Sequence, residues 1–339
     1  MRALKDIERR ILACIGLAMM VTLVFSCRHE SQETQPTIAM YIAEVDDLLG
    51  QSDGDSALVL LEKAKMLATT SKETAEIELK EAQTYHYIGD EIMSKHMVRR
   101  CMMYYDTINV VTEADVTNKI KALNLYADLM LLSRNENEAM RSHMRIVSLA
   151  KEINDIKSFV RSRKYISDVE SEQGNYMSAL EGYLEVLPYT AEEEKFRLYT
   201  SLQNAYFSIG DAIESERYLK EMRNEVDEND IYGNCVVLFA ELGYYNLVND
   251  RDKVLSCVNE MKHYVNIPEL SKYYELHIET ALADYYIGIN NRDSAETFVN
   301  RMMDFEESVV SDVDLYRRLV LTRWYLYEKM YDKAKNVLW

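Results

Sequence analysis

The chain has 339 residues, of which 57 are acidic and 39 are basic, so its formal net charge is −18 at pH 7. A protein this acidic lacks the basic footprint that phosphate binding requires, which excludes nucleic acid as the expected partner. Only 3 prolines occur in the whole chain, which agrees with a helical fold.

The first 26 residues have the pattern of an export signal. Four basic residues precede an uncharged, largely apolar stretch from Ile11 to Phe25, which is shorter than the ~20 residues of a spanning helix. The stretch leads into Ser26 and Cys27, and a small residue before a cysteine at this place resembles the bacterial lipoprotein signal. The resemblance implies that residues 1–26 are removed and that Cys27 carries acyl chains such as palmitate. An uncleaved N-terminal anchor is the alternative.

Residues 27–37 are predicted to be a flexible tether, because the segment from Arg28 to Pro36 is polar and has no helical period. Each acyl methylene buried in a bilayer contributes about 0.8 kcal/mol, so several chains on one cysteine would hold the protein firmly. We therefore expect an exported lipoprotein, anchored to a membrane on its periplasmic or cell-surface side.

Small or short side chains recur through the rest of the chain at nearly even spacing. These anchor positions are Ala57, Ser94, Ala139, Ala179, Ser215, Val254, Ala295 and Ala334. Their separations are 37, 45, 40, 36, 39, 41 and 39 residues. A period in this range indicates a solenoid of stacked helix pairs, in which each unit packs on its neighbours.

Other positions recur with the anchors. Four residues before the anchor stands Asp or Asn in seven of eight cases, one residue earlier stands Gly or Asn in five, and nine before it stands Tyr in five. Gly and Asn tolerate the left-handed backbone of a tight turn, and Asp or Asn then caps the next helix. Seven residues after the anchor the side chain is apolar, on the same helix face. These positions predict a tight helix–turn–helix hairpin.

Two segments carry the pattern most completely. The segment from Asn204 to Asp211 contains a tyrosine and a Gly-Asp turn, and the segment from Tyr165 to Val186 contains Gly174-Asn175, the anchor Ala179 and Tyr183. These motifs resemble the tetratricopeptide repeat family, although the spacing exceeds that family's ~34 residues. The resemblance implies an all-α fold over residues 38–339, a right-handed superhelical solenoid of about eight such hairpins.

The resemblance also implies that the first helix of each pair lines a concave groove, which we expect to bind a protein or peptide. Groove positions in the fourth pair include Arg161 and Lys164, and those in the fifth include Arg197, Asn204 and Phe207. The first four would form a basic and amide cluster that resembles half of the family's carboxylate clamp. The alternative is an internal salt-bridge network with acids such as Asp168.

The sixth pair presents a more apolar groove surface. Its groove positions are Val236, Phe239, Gly243, Asn246 and Leu247. We predict that Phe239 contributes to peptide binding, because an apolar groove can receive an amphipathic helix. The alternative is that extended connectors between the pairs cover this surface.

The last helix is predicted to run from Asp332 to Trp339, barely two turns. We expect it to leave Trp324, Tyr325 and Trp339 exposed, whereas solenoids normally end in a polar cap. Residues 315–339 are therefore a candidate self-association surface.

The chain contains no HExxH, P-loop, GxSxG or GxGxxG motif, so we expect no enzymatic activity, cofactor or metal. We expect Cys101, Cys235 and Cys257 to be small core residues. The segment from Asp53 to Leu61 resembles the start of Bacteroidetes tetratricopeptide-repeat lipoproteins. The leading hypothesis is thus a membrane-anchored binding scaffold. The alternatives are a sensory or regulatory module without its output domain, and a lipoprotein that captures nutrients or glycans.

Overall fold

The computed structural model describes residues 36–108, 111–227, 229–265, 267–305 and 311–338. Within these ranges the chain is helical apart from turns, connectors and one short 3-10 segment, Leu187–Tyr189. The predicted signal segment 1–26, Cys27, most of the 27–37 tether and Trp339 lie outside the described residues.

The described residues form sixteen α-helices, in the order of eight consecutive pairs. Their bounds are α1 (Ile38–Gly50), α2 (Gly54–Leu67), α3 (Ser71–Tyr87), α4 (Glu91–Thr107), α5 (Glu113–Leu132), α6 (Glu136–Glu152), α7 (Ile156–Glu172), α8 (Tyr176–Val186), α9 (Glu192–Ser208), α10 (Ala212–Glu225), α11 (Ile231–Leu247), α12 (Arg251–Tyr264), α13 (Lys272–Gly288), α14 (Arg292–Met303), α15 (Ser311–Tyr327) and α16 (Tyr331–Leu338).

The turn inside each pair is closed by local chemistry. The residue five before the anchor has a positive φ in every pair, and three of these residues are glycines with φ between 79° and 83°. The others are Ser52, Arg134, Asn249, Asn290 and Lys329. A left-handed residue at this place lets the next N–H reach back to the end of the preceding helix, as Asp90 does to the Tyr85 carbonyl at 2.8 Å.

The predicted Asp and Asn caps all stand directly before a second helix. In six of the seven pairs the side chain accepts a hydrogen bond from the backbone N–H three residues later, and Asn175 is the exception. Such a cap satisfies an N–H that the helix leaves unpaired, which contributes about 1 kcal/mol. The same turn occurs once outside the predicted series, between α6 and α7, where Asn154 has φ 57° and Asp155 caps α7.

All eight anchors are buried, and six of them are wholly inaccessible to solvent. The position seven residues later is also buried in every pair from the first to the seventh. A short side chain at the anchor lets the two helices of a pair approach closely. The sequence prediction of an all-α fold made of such hairpins is confirmed.

The helices group into two compact units, divided between Arg134 and Asn135. Unit 1 contains α1 to α5, and unit 2 contains α6 to α16. Within each unit every helix packs against the helices before and after it in the chain. In unit 2, α13 also packs against α15 and α9 touches α11, so first helices lie side by side along one surface.

The expectation for Trp324 is wrong. Its side chain is only 6% exposed, because it belongs to the core of the last three pairs and stacks on Tyr327 with ring centroids 5.8 Å apart. The exposed apolar side chains of α15 are leucines instead: Leu315, Leu319 and Leu326, each at least half exposed. Self-association through residues 315–339 stays a prediction.

None of the helices in the described ranges has the length and apolar character needed to cross a membrane.

Candidate functional site

Two adjoining cavities open along the first helices of unit 2. The aromatic cavity, about 310 Å³ in volume, lies between α9, α11 and α13. It is lined by Thr200, Gln203, Asn204, Phe207, Val236, Phe239, Ala240, Gly243, Tyr273, Tyr274 and His277. Five of these eleven side chains are aromatic, and the lining contains no Asp, Glu, Lys or Arg.

The rings of the aromatic cavity hold one another in place. His277 stacks on Phe239 with centroids 4.0 Å apart and planes at 17°. Tyr273 meets the edge of His277 at 6.1 Å, and Tyr316 does so from α15 at 5.9 Å. Edge-to-face and stacked pairs of this kind each add about 0.5–1.5 kcal/mol beyond area burial. The cavity is therefore a preformed surface.

The amide groups of the aromatic cavity lie on α9. Gln203 is 1% exposed, and its Nε2 donates to the Ser215 Oγ at 3.2 Å. Its Oε1 is buried and has no hydrogen-bond donor among the described residues. An unsatisfied buried acceptor costs about 1–3 kcal/mol. The neighbouring Asn204 is exposed at the rim.

The arginine cavity, about 790 Å³ in volume, lies next along the same surface, between α11, α13 and α15. Its lining residues are Leu242, Tyr245, Asn246, Asn249, Arg251, Val254, Ala281, Asp284, Tyr285, Gly288, Ile289, Tyr316 and Arg323. The charged members are two arginines and one aspartate, and Arg323 forms an ion pair with Asp284. Burial raises the pKa of the Asp284 carboxyl, an effect that Arg323 opposes.

The fold is similar to that of solved helical-repeat structures. A tetratricopeptide repeat protein from Parabacteroides merdae superposes with a TM-score of 0.51 at 11% identity, over 84% of this chain and 98% of that one. The apo form of RapI superposes with a TM-score of 0.50 at 13% identity, over 86% and 99%.

This is a tetratricopeptide-repeat fold. At such low identity the likeness is one of fold alone. No protein-family model matches the sequence, and no curated protein matches it either. A helical-repeat fold exposes extended helical surfaces.

Three of the six predicted peptide-binding residues lie together on this repeat surface. Asn204, Phe207 and Phe239 all line the aromatic cavity. Arg161, Lys164 and Arg197 line neither cavity. Arg161 and Arg197 are exposed on α7 and α9.

Lys164 is engaged inside the repeat. Its Nζ lies 2.8 Å from the Asp168 carboxylate, which also accepts a hydrogen bond from the buried Tyr183 hydroxyl at 2.9 Å. This arrangement is the internal network that the sequence left open as the alternative to a ligand-binding cluster. Binding by Lys164 would therefore have to break an existing ion pair.

Sequence reasoning missed the contributions of α13 and α15. The predicted groove positions lie 18, 15, 11 and 8 residues before each anchor, and Phe239 is 15 before Val254. The same spacing identifies His277 and Asp284 in the seventh pair, 18 and 11 residues before Ala295. Applied to the eighth pair it gives Tyr316 and Arg323, 18 and 11 residues before Ala334. Tyr273 and Tyr274 fall outside this spacing, and no local sequence signal identifies them.

The three cysteines of the described ranges are buried structural residues. Cys101, Cys235 and Cys257 are free and buried, as expected, and burial raises the pKa of each thiol to about 12. A thiol with so high a pKa is a poor nucleophile at neutral pH. Within the described ranges no group of three or more His, Cys, Asp or Glu is placed to hold a metal.

Proposed function

We propose that this chain is a non-enzymatic, membrane-anchored scaffold that binds an extended segment of a protein partner along α9, α11 and α13. The observation that carries the proposal is the aromatic cavity, in which aromatic rings and the exposed Asn204 amide share one repeat surface.

The chemistry of the aromatic cavity favours one large apolar side chain of the partner. Its rings offer apolar contact on several sides, and burying a Leu- or Phe-sized side chain contributes about 1.5–3 kcal/mol. The Asn204 amide, which is exposed at the rim, can bond the peptide backbone. Apolar contact would supply affinity, and this amide would fix the position of the peptide backbone.

Gly243 provides a direct test, because a side chain there would fill the cavity. The nearest atoms to an added Cβ are those of the Phe207 ring, at 3.8 and 3.9 Å, so the backbone has room for it. Gly243→Leu should weaken peptide binding by about 30-fold, since it occupies the space that a ~2 kcal/mol apolar anchor would use. The probe is a fluorescent peptide selected from a random display library against the full-length chain, and the measurement is its Kd by anisotropy.

Gly243→Ala is the matched control, because a single methyl group makes only ordinary contact with Phe207. Both variants should melt at or above the temperature of the parent, since replacing glycine inside a helix contributes up to about 1 kcal/mol. Equal affinity for the parent and the leucine variant would show that the peptide binds elsewhere. Selection of no peptide would contradict the proposal as well.

The membrane anchor is tested separately through Cys27. Cys27→Ser should move the protein from the membrane fraction to the soluble fraction of its native cells and abolish incorporation of a clickable palmitate analogue. Loss of the acyl chains removes about 0.8 kcal/mol per buried methylene, which leaves little to hold the chain at the bilayer. Cys101→Ser is the matched control, because that thiol is buried in unit 1. A serine variant that stays with the membrane would favour the uncleaved anchor.

A further inference from the structure

We propose that the aromatic cavity is also a small-molecule site, which binds a quaternary ammonium group such as that of choline. The ligand class is a small cation whose charge is covered by methyl groups. This inference goes beyond the proposed function and does not depend on it, because the cation is bound and tested without any peptide.

The placement of the rings is the first argument. Five aromatic side chains reach the cavity from three helices: Phe207 from α9, Phe239 from α11, and Tyr273, Tyr274 and His277 from α13. All five are half-buried, so they are packed on the fold and still reachable from solvent. The face of an aromatic ring carries partial negative charge, and a cation held over it is attracted. Rings from three helices around one space therefore favour a bound cation.

The rings on α13 are held in position by their neighbours. Tyr273 meets Tyr274 edge to face with centroids 5.1 Å apart. On its other side Tyr274 lies 5.4 Å from Tyr232, whose hydroxyl donates to the Glu269 carbonyl at 2.7 Å. A site that is formed before the ligand arrives loses little conformational freedom on binding. The cavity therefore meets the requirement for capture of a small ligand with few contacts.

Charge complementarity is the second argument. The chain carries a formal charge of −18, which raises the local concentration of cations. Elsewhere in unit 2 the chain places its own cations over rings: Lys253 Nζ lies 4.7 Å from the Tyr245 centroid, and the Arg301 guanidinium lies 5.8 Å from that of Phe298. The lining of the aromatic cavity contains neither Lys nor Arg. No charged base of the lining therefore repels a bound cation.

The missing carboxylates of the lining select a methylated cation. A primary ammonium has three N–H donors, and burying them among rings without an Asp or Glu leaves hydrogen bonds unmade. A quaternary ammonium has no N–H donor to satisfy, and its methyl groups make apolar contact with the rings. The cavity volume of about 310 Å³ is at the lower end of the range for small-molecule sites.

The test is isothermal titration calorimetry of the full-length chain with three probes of similar size. Choline carries charge and methyl groups, ethanolamine carries charge alone, and 3,3-dimethyl-1-butanol has the shape of choline without the charge. We expect choline to bind at least about tenfold more tightly than either of the others, because only choline combines ring attraction with apolar contact. Equal affinity for choline and the neutral alcohol would overturn the inference. So would the absence of saturable choline binding up to about 10 mM.

Protein variants place the cation in the aromatic cavity. Gly243→Leu fills the space and should abolish choline binding, whereas Gly243→Ala should retain it. Phe239→Leu keeps apolar contact but removes a ring face, so it should weaken choline about fivefold and leave the neutral alcohol unchanged. Phe207→Leu makes the same comparison if Phe239→Leu unfolds. Phe298→Leu, a half-buried ring on α14 outside both cavities, is the matched control. Equal losses of choline and the alcohol in the ring variants would overturn the inference.

The ammonium group could belong to a free compound or to a lipid headgroup. Glycerophosphocholine carries the same group beside a phosphate, and its Kd is measured in the same way. The acidic chain repels phosphate, so we expect choline to bind more tightly, which identifies a free ammonium compound. Tighter binding of glycerophosphocholine would identify a headgroup, and either result supports the ammonium site.

Failure of this inference is distinguishable from failure of the proposed function. A chain that binds its selected peptide in a manner sensitive to Gly243→Leu, but does not bind choline, keeps the peptide site and loses the ammonium site. A chain that binds choline but selects no peptide keeps the ammonium site and loses the proposed function. Where both bind, choline should displace the peptide, since they occupy one cavity.

Discussion

Lys65→Met is expected to lower the local free energy of unfolding of α2 and α3 by about 3–5 kcal/mol, because it leaves a buried carboxylate without its partner. Lys65 forms an ion pair with Glu81, whose side chain is only 2% exposed. Burial raises the pKa of Glu81, and Lys65 is the main opposing influence. Hydrogen exchange read by mass spectrometry over both helices gives the local value, which suits a repeat array whose cooperativity is limited.

Three comparisons make the Lys65 prediction specific. Lys63 lies two residues before Lys65 and is exposed, so Lys63→Met should change the local free energy of unfolding by less than about 0.5 kcal/mol. The double variant Lys65→Met/Glu81→Leu should recover most of the loss, since apolar pairs can replace buried ion pairs. The stability lost in Lys65→Met should also shrink as the pH falls. Without Lys65 the pKa of Glu81 rises further, so the carboxyl becomes protonated and neutral at a higher pH. A deficit that persists in the double variant would place the cause in packing of the lysine stem.

Tyr183→Ala is expected to cost about 3–5 kcal/mol at the contact of α7 with α8, as other buried aromatic-to-alanine changes do. Tyr183 is 2% exposed and lies four residues after the anchor Ala179. Its hydroxyl donates to Asp168 at 2.9 Å, so the variant loses both ring packing and a bond to a charged acceptor. Hydrogen exchange of residues 156–186 is again the measurement.

Tyr183→Phe separates the two contributions. It keeps the ring and should cost about 1.5–3 kcal/mol, the value of a hydrogen bond to a charged group. Tyr331→Ala, which removes a tyrosine that is 65% exposed, should have little effect. If alanine and phenylalanine cost the same, the ring contributes nothing, and the small anchor alone determines how α7 meets α8.

The parts of the fold that the sequence predicts are those specified locally. A left-handed residue, a capping side chain four before the anchor and a buried residue seven after it all act within one hairpin, so Gly210, Asp211 and Ser215 reveal a turn and a close helix contact directly. The same spacing predicted groove positions for Asn204, Phe207 and Phe239, and the structure shows that all three line one cavity. Local signals repeat with the period of the structure, and the sequence carries the capping residue in seven of the eight pairs.

The parts that the sequence does not predict depend on contacts between pairs. The stacking of His277 on Phe239 joins residues 38 positions apart, and the pairing of Asp284 with Arg323 joins residues 39 apart. Such contacts depend on how far one hairpin is displaced against the next, which no single hairpin encodes. Burial of Trp324 was missed for the same reason, since its core is formed by the neighbouring pairs.

The turns have a consequence for how the chain folds. The left-handed turns, and the caps other than Asn175, are closed by hydrogen bonds that span only two to five residues, as in Asp90 to Tyr85 and Met93 to Asp90. Contacts this short in sequence form before long-range ones, because little loop-closure entropy opposes them. Each hairpin can therefore act as a folding nucleus during synthesis, and a chain released early from the ribosome would already contain finished repeats.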